Sequence, residues 1–422
     1  MSYLIAIVGL LVLVLIHELG HFSGAKATGM WAMRFSIGFP PFVLRRKVGE
    51  TEYTLGAIPL GGYVKIPGML RPEADDLYAV DDVLLRNEGL PTDAATALGE
   101  SADITRGHLR AGRWDAARES IGAVREALAG TGDALSDRDR GRVSKNLERL
   151  QESLDPRAYW RSSRIRRLIV ILAGPATNIV ACFLILAVVA VIGRPEGYIV
   201  PTVHAVFAKT PAATSGLRAG DRLVSINGVH GSVNRLRQVI QGSDGHVVRV
   251  VVRRDGKTVA LKPVHSQLVG GSYKLGFEFN ARIIERSYPV WQAPGLAWGD
   301  MWRLTTGTIS AIGNVVTPAG RSQLHSVVGI VSVSADEVHY GAGYYLTLLA
   351  DVSLALAIFN LLPFLPLDGG HVLMIALEKL RGRMVSRATF ERVSVVGIAL
   401  MALLFVTGLH NDIGQLISTP SP

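Results

Sequence analysis

Cysteine is nearly absent. Cys182 is the only one in 422 residues and lies inside an apolar run, so no disulfide framework and no cysteine-built zinc site exists. Charge is also scarce: Asp, Glu, Lys and Arg make up 19% of the chain against 49% hydrophobic residues. That balance excludes a disordered chain and argues against a single soluble domain. Acids are unevenly placed, because residues 71–160 hold 18 of the 35, beside 13 basic residues. The rest of the chain is therefore apolar and cationic, with 17 acids against 31 bases. A formal charge of +9 would suit nucleic acid, but the bases surround apolar runs instead of massing in one domain. No nucleic-acid partner is expected; a lipid bilayer is.

Four apolar runs stand out, at 3–16, 165–192, 344–367 and 393–409. A membrane span needs about 20 residues, so the second and third suffice and the fourth is near the limit. The first is short alone and continues into His17-Glu18-Leu19-Gly20-His21-Phe22. A signal peptide competes for this segment, but no Lys or Arg precedes the run and no small-x-small cleavage pattern closes it. Arg161, Arg164, Arg166 and Arg167 precede the second run; Lys379, Arg381, Arg383, Arg387 and Arg392 separate the third from the fourth. The positive-inside rule puts both clusters in the cytoplasm. Residues 28–163 are then cytoplasmic, and 194–343 face the exterior or periplasm.

If the first run spans, three ionisable side chains enter a membrane helix, a costly placement that marks function. His17 and His21, four apart, share one helix face about one turn from each other and can bind one ion. Zinc there lowers the pKa of a coordinated water, and adjacent Glu18 can take its proton as it attacks a carbonyl. The bland alternative is a capped helix end with two interfacial histidines.

Catalytic zinc needs a third protein ligand. Asp368 is the best candidate, in Asn360-Leu361-Leu362-Pro363-Phe364-Leu365-Pro366-Leu367-Asp368-Gly369-Gly370-His371. The deduced topology puts this segment and His17–His21 toward the cytoplasmic ends of their helices, at one depth. Its prolines free backbone polar groups, which is tolerated only where they are buried or line a wet cavity. Asp368 as the cap of a following helix is the rival reading. His371 is a weaker ligand candidate, better suited to support the site.

Two further motifs are Leu55-Gly56-Ala57-Ile58-Pro59-Leu60-Gly61-Gly62-Tyr63-Val64-Lys65 and Gly174-Pro175-Ala176-Thr177-Asn178. Taken in order with the His17 and Asn360 motifs, these resemble the site-2 protease family of zinc intramembrane metalloproteases, specifically its bacterial members with a PDZ domain. The resemblance covers most of the chain except 71–157. It implies one zinc ion with His17, His21 and Asp368 as ligands and Glu18 as general base. It further implies that Asn360 positions the substrate backbone or stabilises the oxyanion, and that Asn178 supports the site from the second span. Two departures are visible: Leu365 stands where relatives often have a second proline, and Ser326-Val327-Val328-Gly329-Ile330 lacks the usual Gly-Pro. Neither touches a proposed ligand.

Residues 50–66 alternate and carry Gly61-Gly62, which reads as a hairpin entering the membrane. A protease of membrane helices must unwind its substrate, and an edge strand here, with Gly61 and Gly62 among the substrate-positioning residues, could hold the unwound stretch. A plain re-entrant hairpin is compatible with that role. Within 71–157, Ile121, Val124 and Leu128 follow helical spacing, as do Val143, Leu147, Leu150 and Leu154. The stretch from Thr105 to Leu128 resembles one helix-turn-helix repeat unit, which a single copy supports weakly. A helical hairpin insertion is expected, which acts as a solvated spacer or else docks a cytoplasmic partner or gates substrate access. The run from Ser215 to Gly228 resembles bacterial PDZ domains, which add a peptide strand and hold its terminal carboxylate with backbone amides. The alternative role, a size filter that keeps bulky-headed substrates from the membrane cavity, is the preferred one here. Trp291, Trp298 and Trp302 suit an amphipathic interfacial helix, or packing against the PDZ-like domain.

The expected fold is an α-helical polytopic membrane protein with four transmembrane helices, a membrane-associated β-hairpin, an external PDZ-like β-rich domain and a cytoplasmic helical insertion. The boundaries are 1–27 for the first helix, 34–68 for the hairpin, 71–157 for the insertion and 164–193 for the second helix. The PDZ-like domain is 197–282, the interfacial segment 288–318, the third helix 344–376 and the fourth 392–410. The expected activity is zinc-dependent cleavage within single-span membrane proteins, such as anti-sigma factors or remnant signal peptides. The chain would sit in a bacterial cell (inner) membrane with its active site toward the cytoplasm. A non-catalytic PDZ scaffold is the rival, but a binding-only metal site has no need of Glu18. A metal transporter would want polar residues along several spans, whereas here they gather in two segments.

Overall fold

The computed structural model describes residues 1–418 apart from 87–88, 270–271, 316 and 322–325. The chain forms two units, Met1–Val188 with Pro294–Pro422, and Val189–Ala293. In the first unit, helix α1 (Ser2–Ala27) continues the opening apolar run through both histidines without a break. Strands β1 (Arg34–Val48) and β2 (Thr51–Lys65) follow, paired antiparallel. Both strands bend, helped by Gly38 in the left-handed region at φ +79°. Residues 34–37 consequently pair with 52–55 on one side and 62–65 on the other. The sheet thus has four segments, and 62–65 forms one edge among the described residues.

The insertion is more than a hairpin. It holds α2 (Tyr78–Arg86), α3 (Thr92–Arg110), α4 (Trp114–Gly130) and α5 (Asp137–Ser153). Ser136 caps α5 by accepting a hydrogen bond from the Asp139 amide at 3.1 Å. Ile121, Val124, Leu128, Val143, Leu147, Leu150 and Leu154 are buried together with Leu77, Val80 and Leu98 in one core. Helix α6 (Arg164–Ile192) then carries the second apolar run, with Pro175 in its interior.

The second unit is built on a five-stranded sheet. Its elements begin with β3 (Arg194–Val206), α7 (Pro211–Ser215), β4 (Arg222–Ile226) and α8 (Val233–Gln241). Six short pieces follow: β5 (Val247–Val248), β6 (Val250–Arg254), β7 (Lys257–Ala260), β8 (Val264–His265), β9 (Gln267–Val269) and β10 (Ser272–Lys274). The last strand is β11 (Phe277–Arg286), and the sheet order is β11-β3-β4-β6-β7. Val203, Leu223, Ile226, Leu236, Val250 and Val252 form its core. The buried Asp221 carboxylate accepts two bonds from Arg254, at 2.7 and 2.6 Å, and one from the Arg218 amide at 2.9 Å.

The first unit resumes with α9 (Ala293–Asn314) and α10 (Pro318–Arg321). The buried Ala297 of α9 packs with Cys182, Leu186, Ala350 and Leu354, while Trp298 and Trp302 stay exposed. The interfacial segment expected at 288–318 is thus helical over most of its length, and Val316 lies outside the described residues. Helix α11 (Val327–Tyr340) was not expected; its N-terminus is tied by Asp412, whose Oδ2 accepts from the Ser326 amide at 2.7 Å and the Gly329 amide at 3.1 Å. Helix α12 (Ala342–Asn360) is the third span, α13 (Asp368–Arg381) a separate helix, and α14 (Arg387–Ser418) the last. The segment expected as one helix over 344–376 is therefore broken at 361–367, where Pro363 and Pro366 cannot continue a helical ladder. Among the described residues, α1, α6, α12 and α14 are long and apolar enough to cross a membrane.

Candidate metal centre

Helical spacing puts His17 and His21 on one face of α1, and their rings meet edge to face with centroids 4.8 Å apart. The His21 Nδ1–H donates to the Val170 carbonyl of α6 at 2.9 Å, which leaves a lone pair on Nε2. Asp368 opens α13 directly after the proline break. Its Oδ2 lies 3.3 Å from His17 Nε2 and 3.2 Å from His21 Nε2, and the two Nε2 atoms are 3.2 Å apart.

This near-equilateral triangle fits a metal. Zinc bonds of about 2.0–2.1 Å in a tetrahedron put ligand atoms about 3.3 Å from one another. Asp368 Oδ2 and His17 Nδ1 are buried without a hydrogen-bond partner among the described residues. An oxygen and two imidazole nitrogens converging with lone pairs inward repel each other unless a cation sits between them. Among the described residues, this is the one cluster of three such groups positioned to hold an ion.

A cavity of about 330 Å³ opens on the triangle and is lined also by Glu18, Tyr63, Val64, Asn360 and His371. Asn360 ends α12, so the helix break exposes it to the same space as Asp368. The 62–65 edge runs beside Glu18: a Cβ on Gly62 would meet the Ser36 carbonyl oxygen at 2.8 Å and Glu18 Cγ at 3.0 Å. Gly61 packs against Phe39 and does not line this cavity. Asn178 does not line it either. It is fully buried, its side-chain amide lacks a partner among the described residues, and its carbonyl accepts from Ser353 Oγ at 3.0 Å.

Three contributors escaped the sequence reading as site residues. Gly174 gives the His21 ring room, since a Cβ there would lie 2.3 Å from Nε2. Three residues along the same motif, Thr177 Oγ1 donates to the Ile16 carbonyl at 3.0 Å, clamping α6 to α1 directly before His17. Arg167 of α6 donates to both oxygens of Glu378 on α13, at 2.8 and 2.7 Å, with Arg164 adding a bond at 3.1 Å. That buried pair ties the helix that begins with Asp368 to α6, whose Val170 carbonyl orients the His21 ring. Its sequence signal is a lone Glu near the end of the apolar Asp368 helix, facing a basic cluster that otherwise reads as a topology marker.

Two histidines, a carboxylate and an adjacent glutamate beside a β edge, set among membrane-length helices, define a metalloprotease of the membrane-embedded class. The sequence matches the profile of Peptidase family M50 over residues 5–404. It is 30% identical to zinc metalloprotease RasP of Geobacillus kaustophilus, across 95% of each chain. It is 27% identical to a Nostoc sp. protein over 99% of this chain and 97% of that one, and 28% identical to a Xylella fastidiosa protein over 96% and 97%. Both relatives carry zinc metalloprotease in their names. The chain belongs to Peptidase family M50, the site-2 protease family, and is a multi-pass membrane metalloprotease that hydrolyses peptide bonds.

Proposed function

We propose that this chain is a zinc-dependent intramembrane endopeptidase that carries out regulated intramembrane proteolysis of single-span membrane proteins, such as anti-sigma factors or remnant signal peptides. The observation that carries the reading is the triangle of His17 Nε2, His21 Nε2 and Asp368 Oδ2, with edges of 3.2 to 3.3 Å, beside Glu18. Zinc held by these three atoms supplies Lewis acidity, polarising the scissile carbonyl and acidifying a water molecule. The Glu18 carboxylate takes the proton of the attacking water and passes it to the departing amine. Asn360 donates its side-chain N–H to the oxyanion that develops on the substrate carbonyl. The 62–65 edge pairs with the unwound substrate, with Gly62 keeping the strand close to Glu18 and Gly61 fitting against Phe39. Asn178 acts at a distance, by packing α6 against α12.

The clusters Arg161–Arg167 and Lys379–Arg392 favour a cytoplasmic active site. The second unit is then external or periplasmic, where a PDZ-like domain filters substrates by the size of their heads or adds a peptide strand to its sheet. Its edge strand β11 and helix α8 border a groove of about 740 Å³, lined by Ile240, Phe277 and Phe279.

The test is cleavage of a tagged single-span reporter by purified protein in detergent, with product ends mapped by mass spectrometry. Wild type should cut inside the reporter's apolar segment and Glu18→Gln should not. Cuts confined to the soluble flanks would contradict the intramembrane reading.

A further inference from the structure

Beside the insertion lie two adjoining cavities of about 360 and 270 Å³, which share Leu70, Arg71 and Arg387 in their walls. Arg110 and Arg383 line the first and Arg149 the second. Several other arginines of the insertion have acidic partners: Arg106 binds Asp81 and Asp103, Arg142 binds Asp82, and Arg118 binds Asp155. Among the described residues Arg71, Arg110, Arg149 and Arg383 have no carboxylate partner. The acids in these walls are already engaged. Glu73 and Asp76 close a capping box on each other, and Asp76 also pairs with Arg387. The cavities therefore carry uncompensated positive charge.

Two features give that charge a shape. The Arg71 guanidinium lies 4.4 Å over the Trp114 ring, which fixes its plane and leaves its N–H fork free. Asn146, only 6% exposed, lines the second cavity and its Oδ1 has no partner among the described residues. An anion satisfies the arginines but gives this oxygen nothing; a hydroxyl would satisfy it. The wall residues Arg383 to Arg387 lead straight into the last membrane-length helix, whose span begins at Arg387, so the cavities lie at headgroup depth.

We infer that this pair of cavities binds a hydroxyl-bearing phosphate ester, with the phosphate on Arg71, Arg110 and Arg383 and the hydroxyl on Asn146. Phosphatidylglycerol and soluble glycerol 3-phosphate share that chemistry.

The test uses full-length protein in detergent offered equal phosphatidylglycerol and phosphatidylcholine, with retained lipid read by native mass spectrometry. Wild type should favour phosphatidylglycerol by about tenfold or more. The Arg71→Gln, Arg110→Gln, Arg383→Gln triple variant should lose that preference while keeping reporter cleavage. Asn146→Leu should weaken phosphatidylglycerol retention but leave phosphatidic acid, which has no headgroup hydroxyl, unaffected. A titration with glycerol 3-phosphate separates the sources: displacement of bound phosphatidylglycerol assigns the lipid, and binding without any lipid preference assigns the soluble ester. If the triple variant does not fold, Arg110→Gln alone should cut the preference. Binding of neither probe, or unchanged binding in folded variants, overturns the inference.

Discussion

Gly174 on the second membrane-length helix lies so close to His21 on the first that an added methyl would sit 2.3 Å from the imidazole Nε2. Alanine is better than glycine in a helix by about 1 kcal/mol, so Gly174→Ala should fold normally. It should nevertheless push the ring out of the triangle. Zinc affinity and cleavage are expected to fall by about 10- to 100-fold, as for other perturbed ligand supports. Thermal melting with zinc titration checks this; an undiminished melting temperature without metal and a smaller rise on adding zinc are the expected result.

Gly62→Val should behave differently. The added Cβ would lie 2.8 Å from the Ser36 carbonyl oxygen and 3.0 Å from Glu18 Cγ, so both the 62–65 edge and the base must shift. Cleavage should drop by about a hundredfold through misplacement of the base and the substrate strand, with zinc content unchanged. Metal analysis beside single-turnover cleavage separates it from Gly174→Ala.

The Arg167–Glu378 pair is buried on both sides, at 6% and 10% side-chain exposure. Removing one partner strands a buried charge, so Glu378→Leu should cost about 3–5 kcal/mol. Arg167→Met together with Glu378→Leu should recover most of that loss. Thermal melting of the two single variants and the double variant measures the coupling. Equal losses that simply add would show that the two side chains do not act as a pair.

In the second unit, burial pushes the Asp221 carboxyl upward, but the Arg254 fork and the Arg218 amide outweigh it and hold it below the usual aspartate range. A carboxyl depressed in the folded state stabilises above its unfolded value, near 3.9. That contribution is lost as pH falls through the lower folded value. Asp221→Asn should therefore lower the melting temperature throughout pH 5–8, and the gap to wild type should close toward pH 3. Melting curves of both proteins across that range provide the check.

What could be read from the sequence was what local periodicity encodes. The four apolar runs correspond to the four membrane-length helices, because burial in lipid demands an uninterrupted apolar stretch. The four-residue step from His17 to His21 needs only helix geometry. Tertiary partners were harder to see. Gly174 was visible inside its motif, but its purpose depends on α6 passing directly behind the His21 ring. Arg167 reads as a topology marker because its partner, Glu378, lies more than 200 residues away in the sequence. Helix α11 is hard to read because its 14 residues are too few for a span, and Asp412, which ties its Ser326-capped N-terminus, is more than 80 residues away. The doubled pairing of 34–37 could not be read from alternation alone, since it depends on where each strand bends.

The most direct measurement is zinc content and reporter cleavage on the same preparations of wild type, Glu18→Gln and Asp368→Asn. Wild type should hold one zinc and cut. Glu18→Gln should hold zinc and not cut, and Asp368→Asn should lose both the metal and the activity. Cleavage by Glu18→Gln at the wild-type rate, or full zinc in Asp368→Asn, would contradict the account.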